Sequence, residues 1–266
     1  GLEPLARIGV PVVFLLLWLL VGYGVGVGEF DRGLSHFLLP DFTRLNADGL
    51  ISAIGDAFFS LGLGVGVMMM YTAYLHADVN VTRLSFYVIL ADVVTGLLAG
   101  LAIYPLLFAA GESPASGPEL VFQALAVAFD VLPLGAFLRF LFFLMLPVIA
   151  LLSTVALTEP FLAWLTEWRH CERARAARIG ALVVWAFGIV GILSFQPWQF
   201  SFSLFGLVKT LGFFDLLLVA TSLFMLPVAG IALAVFAAWA LRPEVSREAL
   251  RFRSPCAHDI WLWFTR

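Results

Sequence analysis

Long runs of apolar side chains, separated by short polar segments, divide the chain into six tracts, about 8 to 28, 50 to 75, 84 to 110, 136 to 166, 176 to 196 and 211 to 241. Stretches such as Ile8 to Val27 and Ala176 to Phe195 exceed the roughly 18 residues a helix needs to cross a hydrocarbon core about 30 Å thick. They are apolar all round rather than alternating with period two, which predicts helices and argues against a transmembrane barrel. Between the third and fourth tracts, Leu120 to Ala128 is framed by Gly117, Pro118 and Pro133 and predicts a short helix packed on the outside of the protein. The fourth tract is over-long for one crossing and carries Pro133 and Pro147, so it is expected to tilt, kink or extend past the bilayer.

Composition turns this pattern into a class. The chain is 62% hydrophobic and 12% charged, against about half apolar and a quarter charged in a soluble domain. The expectation is an all-α, multi-pass membrane protein with six transmembrane helices in a single transmembrane region over 1–266. Neither the net charge of −3 nor any basic arm points to nucleic acid. The two cysteines, Cys171 and Cys256, lie in polar loops and form no CxxC site. His36, His76, His170 and His258 fall in loops or at tract ends, and the only lysine, Lys209, lies outside any tract centre. Haem ligation, metalloprotease chemistry and a retinal Schiff base therefore lack their residues, and no enzyme activity is expected.

Arginine sets the orientation. Six crossings leave both termini on one side, together with Arg7, Arg83, Arg169, Arg173, Arg175, Arg178, Arg242, Arg247, Arg251 and Arg253; the other side holds Arg32, Arg44, Arg139 and Lys209. This asymmetry places both ends in the cytoplasm of a plasma (inner) membrane protein. The glycine at position 1 is read as a sign of a processed chain or a fragment.

The polar residues inside the tracts are the candidates for function, because a carboxylate at mid-bilayer costs about 2.5 to 3.5 kcal/mol on insertion scales. Asp92 lies eight residues past Leu84, roughly 12 Å into the third tract; it either coordinates a cation or bonds near the inner interface. Asp56 is a gate acid or an interfacial acid near a helix start. Glu159, just before Pro160, has a structural place. In the second tract Gly62, Gly64 and Gly66 alternate, each weakening a helix by nearly 1 kcal/mol relative to alanine. They predict a break of the kind that exposes carbonyls to ions and substrates in transporters, with close helix packing through Gly62 and Gly66 as the alternative.

The run Gly55-Asp56-Ala57-Phe58-Phe59-Ser60-Leu61-Gly62-Leu63-Gly64-Val65-Gly66, followed by Tyr71 and Tyr74, resembles the sixth helix of the neurotransmitter:sodium symporter family. Ala91-Asp92 with Ala99 to Pro105 is similar to the seventh helix, Gly117 to Phe122 to the loop after it, and Leu152-Ser153 through Glu159-Pro160 to the eighth. The opening tract with Leu39 to Phe42 resembles the fifth helix, and Asp259 to Arg266 the approach to the eleventh. The resemblance implies a LeuT-type fold in which this chain carries the second inverted repeat, with a discontinuous helix. Helices one to four, the remaining partners of the same transporter, would lie outside it, and oligomeric state is left open.

What the resemblance implies for function is sodium-coupled symport of an amino acid or related zwitterion by alternating access. A non-transporting membrane remnant or assembly subunit of the same fold is the alternative. Ser60 and Asp92 would contribute to a first sodium site, and Ser153 with the carbonyl of Ile149 to a second, oxygen being what a hard cation requires. Phe59, Gly62, Val65, Ser153 and Leu157 would line the substrate pocket, with Asp56 and Phe59 at the gate. Asp92, acidic as in bacterial members, would supply the negative charge that chloride supplies elsewhere, so chloride is not required. Three positions depart from the pattern: Leu152 replaces a hydroxyl of the second sodium site, Leu218 an acid of the external gate, and Asp56 a glutamine.

The arginine distribution carries a first test. Cys171 and Cys256 are both expected to stay unlabelled by a membrane-impermeant thiol reagent applied outside intact cells, and to react once the cells are opened. Labelling from outside overturns the orientation.

Overall fold

In the computed structural model the described residues are 2–27, 29–76, 79–112, 117, 119–194, 199–204, 207–241, 261 and 263. Cys256, His258, Pro118, the arginines 242, 247, 251 and 253 and most of the segment 259–266 lie outside them. The elements are α1 (Leu2–Val27), α2 (Phe30–Leu38), α3 (Ala47–Ser60), α4 (Val67–Ala73), α5 (Val81–Ala109), α6 (Leu125–Val131), α7 (Gly135–Arg169), α8 (Arg173–Leu193), the hairpin β1 (Gln199–Leu204) and β2 (Leu207–Gly212), α9 (Phe213–Leu218) and α10 (Leu226–Val235). Among the described residues, five helical stretches are long and apolar enough to cross a membrane: Ala6–Gly26, Val81–Ala109, Gly135–Arg169, Arg173–Leu193 and Phe213–Ala240. The second tract is missing from that set because it is broken into α3 and α4. The all-α expectation holds, save for the two-stranded hairpin, which pairs Gln199 with Gly212 through Leu204 with Leu207.

Side-chain caps start the helices where the sequence offers them. The Asn46 carboxamide oxygen accepts from the Gly49 amide at 2.7 Å before α3, and the Asn80 oxygen accepts from the Arg83 amide at 3.0 Å before α5. The segment after Gly117 is helical as expected, opening with a π-helical turn at Leu120–Ala124 that runs into α6. At 35 residues, α7 would be about 52 Å long, well beyond a bilayer core. It includes both Pro147 and Pro160.

The chain divides into two compact units, Gly1–Leu45 with Val88–Val155, and Asn46–Tyr87 with Ala156–Arg266. In the first, Leu17, Leu20 and Val21 of α1 meet Leu98, Ala102 and Leu106 of α5, Leu125 and Phe129 of α6, and Leu138, Phe142 and Met145 of α7. The short helix α2, which falls between the first two apolar tracts, is clamped on the end of α5. A Cβ at Gly33 would lie 2.6 Å from the Pro105 nitrogen, and one at Gly100 would lie 2.3 Å from the Phe37 ring. Phe37 stacks on Tyr104 at 5.4 Å, and His36 meets Tyr104 at a tilt at 5.2 Å and Phe108 edgewise at 5.3 Å. In the second unit, α3 lies against α10 and the π-helical turn Val219–Met225 before it. Gly55 abuts the Ser222 carbonyl, where a Cβ would come within 2.8 Å, and the Phe58 ring occupies the notch over Gly230. Buried Ser194 closes α8: its hydroxyl donates to the Gly191 carbonyl at 2.7 Å and accepts from the Phe214 amide at 3.1 Å, tying the start of α9 to it.

The backbone contact at Gly33 cannot give way as a flexible side chain would, so Gly33→Ala is expected to destabilise the protein by about 1 to 3 kcal/mol through overpacking. Gly96, on α5, has nothing within 4 Å of its added Cβ, and Gly96→Ala should leave the melting temperature in detergent unchanged or slightly raised. Equal melting temperatures for Gly33→Ala and the wild type would contradict the α2 clamp.

Candidate functional site

The break in the second tract is built by glycine. At the end of α3 the Leu63 amide donates to the Phe58 carbonyl at 2.9 Å and the Gly62 amide to the Phe59 carbonyl at 3.1 Å. That pair of bonds is a Schellman motif, whose left-handed position falls on Gly62 at φ +64°. Gly64 at +83° and Gly66 at +88° continue in the same region, which side chains on L residues rarely adopt. Space adds to the requirement at Gly64, where a Cβ would meet the Leu226 carbonyl oxygen at 2.7 Å. The chain re-enters a helix at Val67, with the Met70 amide donating to the Gly66 carbonyl at 3.0 Å. Between the two half-helices the residues Leu61 to Gly66 form a non-helical turn inside an apolar tract.

The predicted site residues distribute as follows. Asp56, Phe59 and Ser60 sit on the last turns of α3 in the second unit, with Asp56 and Ser60 one turn apart and so on one helix face. Gly62 and Val65 lie within the break, where both are partly buried, while Phe59 is 61% exposed. Asp92 is eleven residues along α5 from Val81, in the first unit, and partly buried. Ile149 and Ser153 are one turn apart on α7, with Leu157 the next turn on the same face; Leu157 belongs to the second unit. Leu152 packs near α1, its Cδ1 lying 3.3 Å from where a Cβ on Gly9 would be. The structure thus gathers Asp56, Phe59, Ser60, Gly62 and Val65 around one break, and Ile149 and Ser153 on one turn. A cavity of about 190 Å³ in the first unit reaches Ile149, but Thr95 is its one polar lining residue, and that hydroxyl donates to the Ala91 carbonyl at 2.7 Å.

One cluster was not foreseen. Glu159 of α7 accepts from the Tyr74 hydroxyl at 3.1 Å, just past α4, and from one Nη of Arg173 at 2.7 and 3.0 Å, at the start of α8. Its side chain is 13% exposed while that of Arg173 is 64% exposed. The next residue, Pro160, lies 3.5 Å from a Cβ placed on Gly66, so the cluster ties the second half-helix to α7 and α8. Nothing in the spacing of Tyr74, Glu159 and Arg173 announces it; the acid buried beside a proline is the one local sign.

Comparison with known proteins gives this arrangement a family. The profile of the Sodium:neurotransmitter symporter family matches residues 8–233. The chain belongs to that family. Among curated relatives in the family, the uncharacterized sodium-dependent transporter YhdH of Bacillus subtilis is 31% identical over 236 residues, 89% of this chain and 51% of that protein. An uncharacterized sodium-dependent transporter of Haemophilus influenzae is 28% identical across 100% of this chain and 57% of its own length. The chain spans about half the length of these relatives. The crystal structure of MhsT in complex with L-phenylalanine superposes with a TM-score of 0.89 at 29% identity, over 100% of this chain and 60% of that one. The fold is therefore that of LeuT-type transporters, and the protein is a multi-pass membrane protein of a sodium symporter family.

Because Glu159 is largely shielded and Arg173 is open to solvent, the two partners should respond unequally to removal. Arg173→Gln leaves a shielded carboxylate with only Tyr74 and is expected to cost about 1 to 3 kcal/mol. Glu159→Gln retains an acceptor for Tyr74, leaves the guanidinium in water, and should cost less. Thermal unfolding of both variants in detergent checks the order; the reverse order would show that the ion pair does not hold this corner.

Proposed function

We propose that the protein is a sodium-coupled amino-acid symporter working by alternating access, and that this chain provides its C-terminal portion. The observation that carries the reading is the glycine-built break after Ser60, in a chain whose family is one of sodium symporters. Inside a bilayer an interrupted helix leaves amides and carbonyls that water does not reach, and half-helix ends of this kind hold ions and substrate carboxylates in transporters.

In this reading Ser60 and Asp92 supply oxygen ligands to one sodium ion, and Ser153 with the Ile149 carbonyl to a second. Phe59, Gly62, Val65, Ser153 and Leu157 line the substrate pocket, and Asp56 and Phe59 form the gate. Gly62 and Val65 are small and leave room for a bulky apolar side chain, in keeping with the L-phenylalanine bound by MhsT. The Asp92 carboxylate gives the first sodium site a fixed negative charge, so that chloride is not needed. At the second site Leu152 offers no hydroxyl, and a missing neutral oxygen contact is worth on the order of 1 kcal/mol, which weakens that site without abolishing it. The protein sits in the plasma membrane with both ends of this chain in the cytoplasm.

Uptake of labelled amino acids by the full-length transporter in proteoliposomes tests the assignment at its charged ligand. Asp92→Ala should abolish sodium-dependent uptake, since one charge-assisted contact in a dry site is worth about 1.5 to 3 kcal/mol. Asp92→Asn should retain uptake that external chloride stimulates. Unchanged sodium dependence in Asp92→Ala would end the ligand role.

A further inference from the structure

The cavity that reaches Ile149 lies wholly within the first unit, between α1, α5, α6 and α7. Leu17 and Leu20 come from α1, Ala99 and Ala102 from α5, Leu125 from α6, and Phe142 and Met145 from α7. Walls contributed by four helices surround a volume of about 190 Å³ rather than following one face of a single helix. No residue that lines it is exposed, and Ala102, Leu106 and Leu125 are almost fully buried.

The chemistry of the walls decides what such a space can hold. All of the lining positions lie in helical segments, which bond their backbone groups along the helix axis. Thr95 brings the one side-chain polar group, and its proton is spent on the Ala91 carbonyl at 2.7 Å, so it has only a lone pair left to offer. A buried water makes about three hydrogen bonds, whereas an apolar cavity of about 150 Å³ stays dry and takes in benzene or xenon. An ammonium or carboxylate would be stripped of water there without a partner. The Phe142 ring is held by Phe129 at 5.8 Å and Phe143 at 5.6 Å, and with the Met145 thioether it gives the cavity one polarizable side suited to another ring.

We propose that this cavity is a binding site for one small, neutral, apolar molecule, a single unsubstituted or halogenated ring or something smaller, held by dispersion against Leu17, Ala102, Phe142 and Met145. The occupant gains contacts that the walls of an unfilled cavity lack, and it gives up no hydrogen bond on entering. Amino acids and amines are excluded by the absence of any group to pair their charges. The site stands whether or not the protein carries amino acids, and it uses neither Asp92 nor Ser153.

Anomalous scattering from crystals of the full-length transporter, pressurised with xenon and separately soaked in iodobenzene, tests it. A xenon peak is expected among Leu17, Ala102, Phe142 and Met145, with the iodobenzene ring in the same place. Ala99→Leu fills the space from α5 and should abolish both peaks; Leu17→Phe fills it from α1 and should do the same, so the test survives if one of the two variants fails to fold. Thr95→Val removes the one polar lining group and should leave the peaks unchanged, which a water-filled site would not. The wild-type crystals decide the matter without any variant. An empty cavity under xenon, ordered water inside it, an acyl chain or a side chain from the transporter's other helices already filling it, or peaks that persist in the filled variants would each overturn the proposal.

Discussion

A backbone that leaves the helical ladder inside an apolar tract must find partners for its amides and carbonyls, because the surrounding hydrocarbon supplies none. The second unit is arranged around that requirement at Leu61 to Gly66. Three left-handed glycines make the turn possible, and only residues without a Cβ can occupy it at so small a conformational cost. The Schellman bonds at the end of α3 satisfy two of the orphaned carbonyls, those of Phe58 and Phe59.

Packing in the second unit holds this turn in place. Phe58 sits over Gly230, Gly55 rests on the Ser222 carbonyl, and Gly64 comes against the Leu226 carbonyl, so the first half-helix and the turn are seated on α10 and the π-helical turn preceding it. The second half-helix is fixed through Tyr74 to Glu159 and from there to Arg173. Close backbone approach on one side and a hydrogen-bonded carboxylate on the other leave the two halves anchored to different helices.

Much of this was legible in the sequence because its causes are local. Apolar runs set the spanning helices, and the alternate spacing of Gly62, Gly64 and Gly66 announced the break. What escaped depends on contacts between distant segments or on weaker local signals. Helix α2 is short, and its place is secured by Phe37 over Gly100 and by Gly33 against Pro105, partners that no spacing within residues 30–38 reveals. The hairpin had a local sign in the alternation Phe200-Ser201-Phe202-Ser203-Leu204, a period-two pattern between the fifth and sixth apolar tracts. The Tyr74–Glu159–Arg173 cluster joins residues up to 99 positions apart, and a lone acid before a proline does not name its partners. The ligand assignments on Asp92, Ser153 and Ile149 come from resemblance, residue by residue, and not from periodicity.

Hydrogen–deuterium exchange over the segment 61–69 of the full-length transporter, in potassium and then in sodium with a bound amino acid, tests the central claim most directly. The account predicts rapid exchange of the Gly64, Val65 and Gly66 amides in potassium, next to the bonded amides of Leu61 to Leu63 that close the first half-helix, and at least about tenfold slower exchange when sodium and the amino acid are both present. Uniform protection across the segment in both conditions, as in an unbroken helix, or fast exchange unaffected by sodium and substrate, would contradict it.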